Sequence, residues 1–96
     1  MRGKMDCKKF EQKLKQLTRT QKDVLELFLH GLDDKDIAVN IPINVATVRQ
    51  HIGNIADKFD IPSDISDKTF RRRELIKIFR KFAPERLSDN HKYDEN

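Results

Sequence analysis

The chain has 96 residues, of which 36% are apolar and 38% are charged, and its net charge is +4. This length allows one small domain with a thin core, which favours a binding module over an enzyme. No run is apolar enough to predict a membrane-spanning helix, and residues 1–10 lack the apolar run of a signal peptide. Cys7 is the only cysteine, which excludes an internal disulfide and favours a reducing cytoplasm.

The positive charge lies towards the two ends of the sequence. Residues 1–22 carry +6 and residues 69–87 carry +5, whereas residues 23–68 carry −5 and residues 88–96 carry −2. Basic segments are typical of proteins that bind nucleic acid, but many small proteins are mildly basic. Charge alone therefore leaves the function open.

Apolar residues recur at helical spacing, and no segment alternates as a β-strand does. A short basic helix is predicted within residues 1–17 from the spacing of Phe10, Leu14 and Leu17. Thr18 and Gln21 have the spacing of a capping box, which opens a second helix. Gly31 suits the position just after the end of that helix.

The middle of the chain predicts two helices joined by a tight turn. The first helix, over about 33–40, is capped by Asp33 or Asp34 and stops before Pro42. Asn44 caps a longer helix that ends at Ile61 and Pro62. Its inward face is Val48, Ile52, Ile55 and Phe59. This arrangement predicts a helix-turn-helix.

A loop over 62–68 separates this unit from a last helix over roughly 70–83, which Thr69 caps and Pro84 stops. Three segments are predicted: the N-terminal helix at 1–17, a helix-turn-helix domain at 18–84 and a disordered polar tail at 85–96. In the last helix Leu75, Ile76 and Phe79 are expected to face inward. Ile78 and Phe82 are then left for a partner or for the N-terminal helix.

In a helix-turn-helix the second helix enters the major groove of DNA. Its outward face here consists of Ala46, Arg49, Gln50, Gly53 and Asp57. Arginine can pair with guanine O6 and N7, and glutamine can pair with adenine N6 and N7. The helix-start amides after Asn44, and the hydroxyl of Thr47, suit a phosphate.

Many positions also agree with one family at fixed spacing. They are Leu17-Thr18, Val24-Leu25, Gly31, Lys35, Ile37-Ala38, Ile43, Thr47-Val48-Arg49, His51, Asn54-Ile55 and Lys58-Phe59. In these residues the chain resembles the LuxR/GerE-type helix-turn-helix, closely over about 17–60 and loosely over the last helix. The resemblance implies four helices, of which the third reads DNA and the fourth often pairs two copies.

The chain departs from this family at several positions. Gln21 stands where the family usually has glutamate, and Gly53 stands where it often has a basic or polar reader. The loop over 61–68 is longer than usual. The cluster Arg71-Arg72-Arg73 and the ending Phe82-Ala83-Pro84 resemble a variant found at the N-terminus of large bacterial signalling proteins.

We therefore expect an all-α, four-helix LuxR-type domain with an extra N-terminal basic helix, acting as a DNA-binding transcriptional regulator. The expected DNA-binding residues are Asn44, Ala46, Thr47, Arg49, Gln50, Gly53, Asn54, Lys58, Arg71, Arg72 and Arg73. Double-stranded DNA is the expected partner, and a homodimer through Ile78 and Phe82 is the expected assembly. The alternative is a protein-interaction adaptor that keeps the fold but does not bind specific DNA. The net charge of −5 over residues 23–68 favours this alternative.

No cofactor, metal or small-molecule ligand is expected, and no catalytic constellation is evident. The three aspartates at 33, 34 and 36 lack the remaining ligands of a calcium loop, so an acidic helix start explains them. His51 has no metal-binding partner at a suitable spacing. We expect it to be packed and hydrogen-bonded instead.

Overall fold

The computed structural model describes residues 5–63 and 69–87. Within these ranges there are five α-helices, one short 3-10 helix and no strand, so the all-α prediction is confirmed. The helices are α1 (Cys7–Lys15), α2 (Arg19–Leu29), α3 (Asp34–Asn40), α4 (Val45–Lys58) and α5 (Phe70–Phe82), followed by the 3-10 helix Pro84–Arg86. Across the described ranges, no helix has both the length and the hydropathy to cross a membrane. Most of the predicted 62–68 loop and of the predicted tail lies outside the described residues.

Side-chain caps fix where four of the helices begin. Asp6, Asp33 and Asn44 each accept a hydrogen bond from a backbone amide three residues later, at 2.8–2.9 Å. At α2 the capping box is complete, because Thr18 Oγ1 accepts from the amide of Gln21 at 3.1 Å and Gln21 Oε1 accepts from the amide of Thr18 at 3.0 Å. Each cap satisfies an amide that has no partner inside its helix.

Helix α2 ends as its glycine predicts. Gly31 has a φ of 92°, a left-handed conformation that favours glycine. Its amide donates to the carbonyl of Phe28 at 3.0 Å, and the amide of Leu32 donates to the carbonyl of Leu27 at 3.2 Å. These two bonds form a Schellman motif, which turns the chain into α3.

The ends of α4 and α5 differ from the prediction. Helix α4 stops at Lys58 rather than at Ile61 and Pro62, because Asp60 adopts a φ of 63°. The amide of Asp60 donates to the carbonyl of Asp57, and the amide of Ile61 donates to the carbonyl of Ala56. Asp60 therefore holds the left-handed position after the helix that glycine usually holds. At α5 the side chain of Thr69 makes no cap, and its hydroxyl accepts from Arg73 Nη1 at 3.1 Å instead.

The core is formed by apolar faces of all five helices. The predicted inward face of α4 is buried, together with Ala56, and so are Leu75, Ile76 and Phe79 of α5. Because α4 packs against α2, α3 and α5, its opposite face is turned away from the core. The elements α3 and α4 form the predicted helix-turn-helix.

Helix α1 joins this core through Phe10, which is 4% exposed. The centroid of its ring lies 5.0 Å from Phe79, 5.1 Å from Phe82 and 5.7 Å from Phe59. Leu17 is buried as well, whereas Leu14, Ile78 and Phe82 are half-buried. The N-terminal helix therefore covers part of the α5 surface that the sequence left for either this helix or a partner.

Candidate nucleic-acid interface

The outer face of α4, which we define as Ala46, Arg49, Gln50 and Gly53, carries small and polar side chains. Ala46, Arg49 and Gln50 are exposed and Gly53 is half-buried, as the helical phase predicts. Asn54 and Lys58 are also exposed further along the helix. This face has no aromatic or large apolar side chain, which suits entry into a groove, and Asp57, one turn beyond Gly53, is the exposed acid at its far end.

At the start of α4 the polar side chains bond one another. Asn44 Oδ1 accepts from both the amide and the hydroxyl of Thr47, each at 2.8 Å. Asn44 is exposed and Thr47 is half-buried. The hydroxyl of Thr47 therefore donates to the cap residue and helps to hold the first turn of α4. Its contact with a phosphate stays a prediction.

Asp34 joins three helices through its carboxylate. Arg72 of α5 forms a two-pronged pair with it, from Nη1 to Oδ1 at 2.8 Å and from Nη2 to Oδ2 at 3.0 Å. Arg49 of α4 donates from Nε to the same Oδ2 at 3.0 Å. The side chains of Asp34 and Arg72 are only 15% and 14% exposed, whereas that of Arg49 is 67% exposed.

The charge state of Asp34 follows from these neighbours. Partial burial acts to raise the pKa of Asp34, because desolvation penalises the charged carboxylate. The hydrogen bonds and positive charges of Arg72 and Arg49 outweigh burial, so the pKa of Asp34 lies below its ordinary value. The carboxylate is therefore ionised at neutral pH and holds both guanidinium groups.

Arg71 ties α5 to the outer face of α4. Its Nη1 donates to the carbonyl of Gly53 at 3.3 Å, and its Nη2 donates to the carbonyl of Ile61 at 2.8 Å and to the carboxylate of Asp57. A Cβ atom at Gly53 would lie 3.8 Å from Nη1, an ordinary van der Waals distance, so the guanidinium lies directly beside this position. Arg71 Nε is buried without a partner among the described residues.

Acidic residues of the middle segment are paired with bases from both ends of the chain. Asp60 pairs with Lys13 of α1 at 2.8 Å, while Asp57 and Asp34 pair with Arg71 and Arg72 of α5. The basic segments therefore fold against the acidic middle, an arrangement that the linear charge pattern did not indicate. Both ends of the chain thus bring positive charge to the helix-turn-helix.

Four of the predicted DNA-binding residues lie together in the structure. Arg49, Gly53, Arg71 and Arg72 line one cleft with Asp34, Ile52 and Thr69. Arg73 lies one residue further along, half-buried beside Thr69.

Sequence reasoning missed the role of Asp34, which it treated as part of an acidic helix start. Arg72 is 38 residues away, so no local pattern could have revealed the pair.

His51 differs from expectation. It is half-buried, and its Nδ1 is buried without a hydrogen-bond partner among the described residues, whereas a hydrogen-bonded histidine was expected. No group of histidine, cysteine and carboxylate side chains within 5–63 and 69–87 has the arrangement of a metal site.

Three comparisons with known proteins bear on this arrangement. Residues 15–67 match the family model described as bacterial regulatory proteins, luxR family. The protein named "Putative HTH-type transcriptional regulator Rv0890c", from Mycobacterium tuberculosis, is 36% identical over 58 residues. These residues are 58% of this chain but only 7% of the length of that protein. No solved structure matches the chain.

Proposed function

This chain belongs to the LuxR family of bacterial regulatory proteins, whose helix-turn-helix binds DNA, and on that premise we propose that it reads a specific duplex with α4 in the major groove. It would serve as a transcriptional regulator or as the DNA-binding module of a larger protein. The relative from M. tuberculosis is named as a transcriptional regulator, and this chain matches a small part of it.

The outer face of α4 is the observation that carries this proposal. A helix adapted to bind another protein usually exposes aromatic or large apolar anchors. Ala46 and Gly53 are instead small, and Arg49 and Gln50 are of the two types that pair with guanine and adenine. Small residues allow close approach to the bases, so this face suits a groove better than a protein surface.

The other predicted residues are assigned to the DNA backbone. Asn44, Thr47, Asn54 and Lys58 flank the outer face along α4. Arg71, Arg72 and Arg73 lie at the start of α5. Backbone contacts of this kind supply affinity and register rather than sequence preference.

The paired acids weaken the main objection to this proposal. A segment with a net charge of −5 opposes DNA binding, because affinity comes largely from neutralised phosphates. Asp34 and Asp57 lie nearest the outer face, and each is neutralised by an arginine of α5. The side chains of Arg71 and Arg72 are only 21% and 14% exposed, so they support DNA binding chiefly through these pairs.

A homodimer through α5 is part of the same proposal. Ile78 and Phe82 are half-buried, so each keeps some apolar surface beyond the cover that α1 provides. A two-fold pair would place two α4 helices on half-sites about one turn of DNA apart. Sedimentation at tens of micromolar, with and without DNA, tests this assembly. A monomer under both conditions would contradict it.

The decisive experiment is a titration of selected and random duplexes at ~50 and ~200 mM salt. We expect a preferred sequence and a steep loss of affinity as salt rises. A matched control is the double variant Arg49→Ala with Gln50→Ala, which should bind both duplexes alike. A folded protein that binds neither duplex at the lower salt would contradict the proposal.

That negative result would favour the adaptor alternative. Val39 on α3 is the one large apolar side chain exposed in residues 5–63 and 69–87, at 81%. Single exposed apolar residues are normal on protein surfaces and do not form a docking patch. DNA binding is therefore the function that the described surface supports better.

A further inference from the structure

We infer that Asp34 is a positioning residue for base reading, because it holds the Arg49 side chain by Nε and leaves the tip of the guanidinium available to a base. This inference rests on the proposed function. Arg49 Nε donates to Asp34 Oδ2 at 3.0 Å, and within residues 5–63 and 69–87 its two terminal nitrogens have no partner. The side chain is 67% exposed, so those nitrogens are accessible from solvent.

Asp34 itself is held firmly. Arg72 grips both of its oxygens, at 2.8 and 3.0 Å, and both side chains are more than four-fifths buried. The guanidinium of Arg72 lies 5.9 Å from the centre of the Phe28 ring, which is fully buried. The carboxylate is therefore anchored to the core and provides a fixed point for Arg49.

A fixed point matters because arginine is long and flexible. Immobilising such a side chain on binding costs conformational entropy, and a side chain that is already ordered avoids most of that cost. A guanidinium held by Nε can still present Nη1 and Nη2 to the O6 and N7 atoms of guanine. Asp34 thus prepares Arg49 for a two-pronged contact before DNA arrives.

Asp34 could instead weaken DNA binding, which is the opposite of the positioning effect. A carboxylate near the groove repels phosphates and competes with DNA for Arg49. If competition dominated, removing the carboxylate would strengthen binding. If positioning dominates, removing it weakens discrimination between sequences. A measurement of affinity on two duplexes therefore separates these roles.

The test compares Asp34→Asn with Asp36→Asn on a selected and a random duplex. Asp36 is an exposed acid on the same helix, and its side chain has no partner among the described residues, so it controls for the lost charge. We expect Asp34→Asn to lower the ratio of selected to random affinity by about two- to tenfold, the equivalent of ordering one long side chain. Asp36→Asn should leave the ratio unchanged.

A double-mutant cycle shows whether Asp34 acts through Arg49. In an Arg49→Ala background, Asp34→Asn should no longer change the affinity ratio, whereas a general loss of structure would persist. If Asp34→Asn does not fold, Asp34→Glu serves in the same cycle, because it keeps the charge but displaces the carboxylate. We expect a reduced ratio for this variant as well.

The outcomes distinguish the inference from the function on which it rests. If the wild-type chain shows no preferred duplex, the proposed function fails and this inference fails with it. If the wild type discriminates but Asp34→Asn keeps its ratio, whether or not it binds both duplexes more tightly, only the inference is overturned.

Discussion

At the scale of single residues, Arg49 and Gln50 carry the predicted sequence preference. Each substitution to alanine should cost about 1–3 kcal/mol on the preferred duplex, because a paired base edge loses its partner. The loss on random duplexes should be much smaller. Titration of both duplexes at one salt concentration measures this difference. Equal losses on the two duplexes would remove the residue from base reading.

Asp34 also has a predicted effect on stability. Asp34→Asn should lower the free energy of unfolding at pH 7 by about 1–3 kcal/mol, because the mostly buried Arg72 loses its charged, two-pronged pair with Asp34. Urea unfolding measures this difference, with Asp36→Asn as the control that removes an exposed acid. A loss no larger than that of the control would contradict a stabilising role for the pair.

The pH dependence of this effect has a definite sign. The folded pKa of Asp34 is lowered, so its contribution is fully present above the ordinary value of 3.8 that the unfolded chain has. The contribution is then lost as the pH falls through the lower folded pKa. The wild type and Asp34→Asn should therefore converge in stability below that pH. A difference between the two that did not shrink as the pH falls below 3.8 would contradict this account.

The sequence predicted the exposed residues of the site better than their partners. The helical phase of α4 follows from four apolar residues, and it places Arg49 and Gln50 outward without knowledge of any other helix. The partners of Arg49 and Arg71 depend on how α5 packs against α3 and α4. A contact of this kind has no local signature, so neither the Asp34–Arg72 pair nor the contact of Arg71 with Gly53 was predicted.

At the scale of helices, the capping box of α2 gives a direct prediction. Thr18→Ala should lower the free energy of unfolding by about 1 kcal/mol, because the amide of Gln21 loses its acceptor. Thr20→Ala is the matched control, since Thr20 is exposed within the same first turn and makes no cap. Thermal or urea unfolding compares the two. A similar effect from both variants would argue against the cap.

Helix boundaries were predictable where one residue type decides them. Thr18, Gly31 and Asn44 act through their own side-chain or backbone chemistry, and the structure has each at the predicted helix end. Asp60 takes a left-handed conformation that aspartate adopts less readily than glycine. Its tertiary pair with Lys13 accompanies that conformation. The sequence around it therefore gave a weaker signal, and the end of α4 was placed too late.

At the scale of the whole molecule, α1 is part of the core rather than an appendage. Phe10→Ala should lower the free energy of unfolding by about 3–5 kcal/mol, because it leaves a cavity among three other aromatic rings. Lys8→Ala, on the exposed side of the same helix, should have little effect. Chemical denaturation measures both variants. A loss under 1 kcal/mol for Phe10→Ala would show that α1 contributes little to the core.

The contact between Gly53 and Arg71 has a consequence for how this sequence can evolve. The guanidinium lies beside position 53, where the Cβ of an alanine would be at ordinary van der Waals distance, but a lysine or arginine would bring a second positive charge close to it. The two positions are therefore expected to vary together among descendants of this sequence. A lysine or arginine at 53 should be better tolerated once Arg71 has been replaced. Replacing Arg71 would in turn release Asp57 and the Ile61 carbonyl, which would need their own compensation, so a basic residue is hard to gain at 53 in a single step.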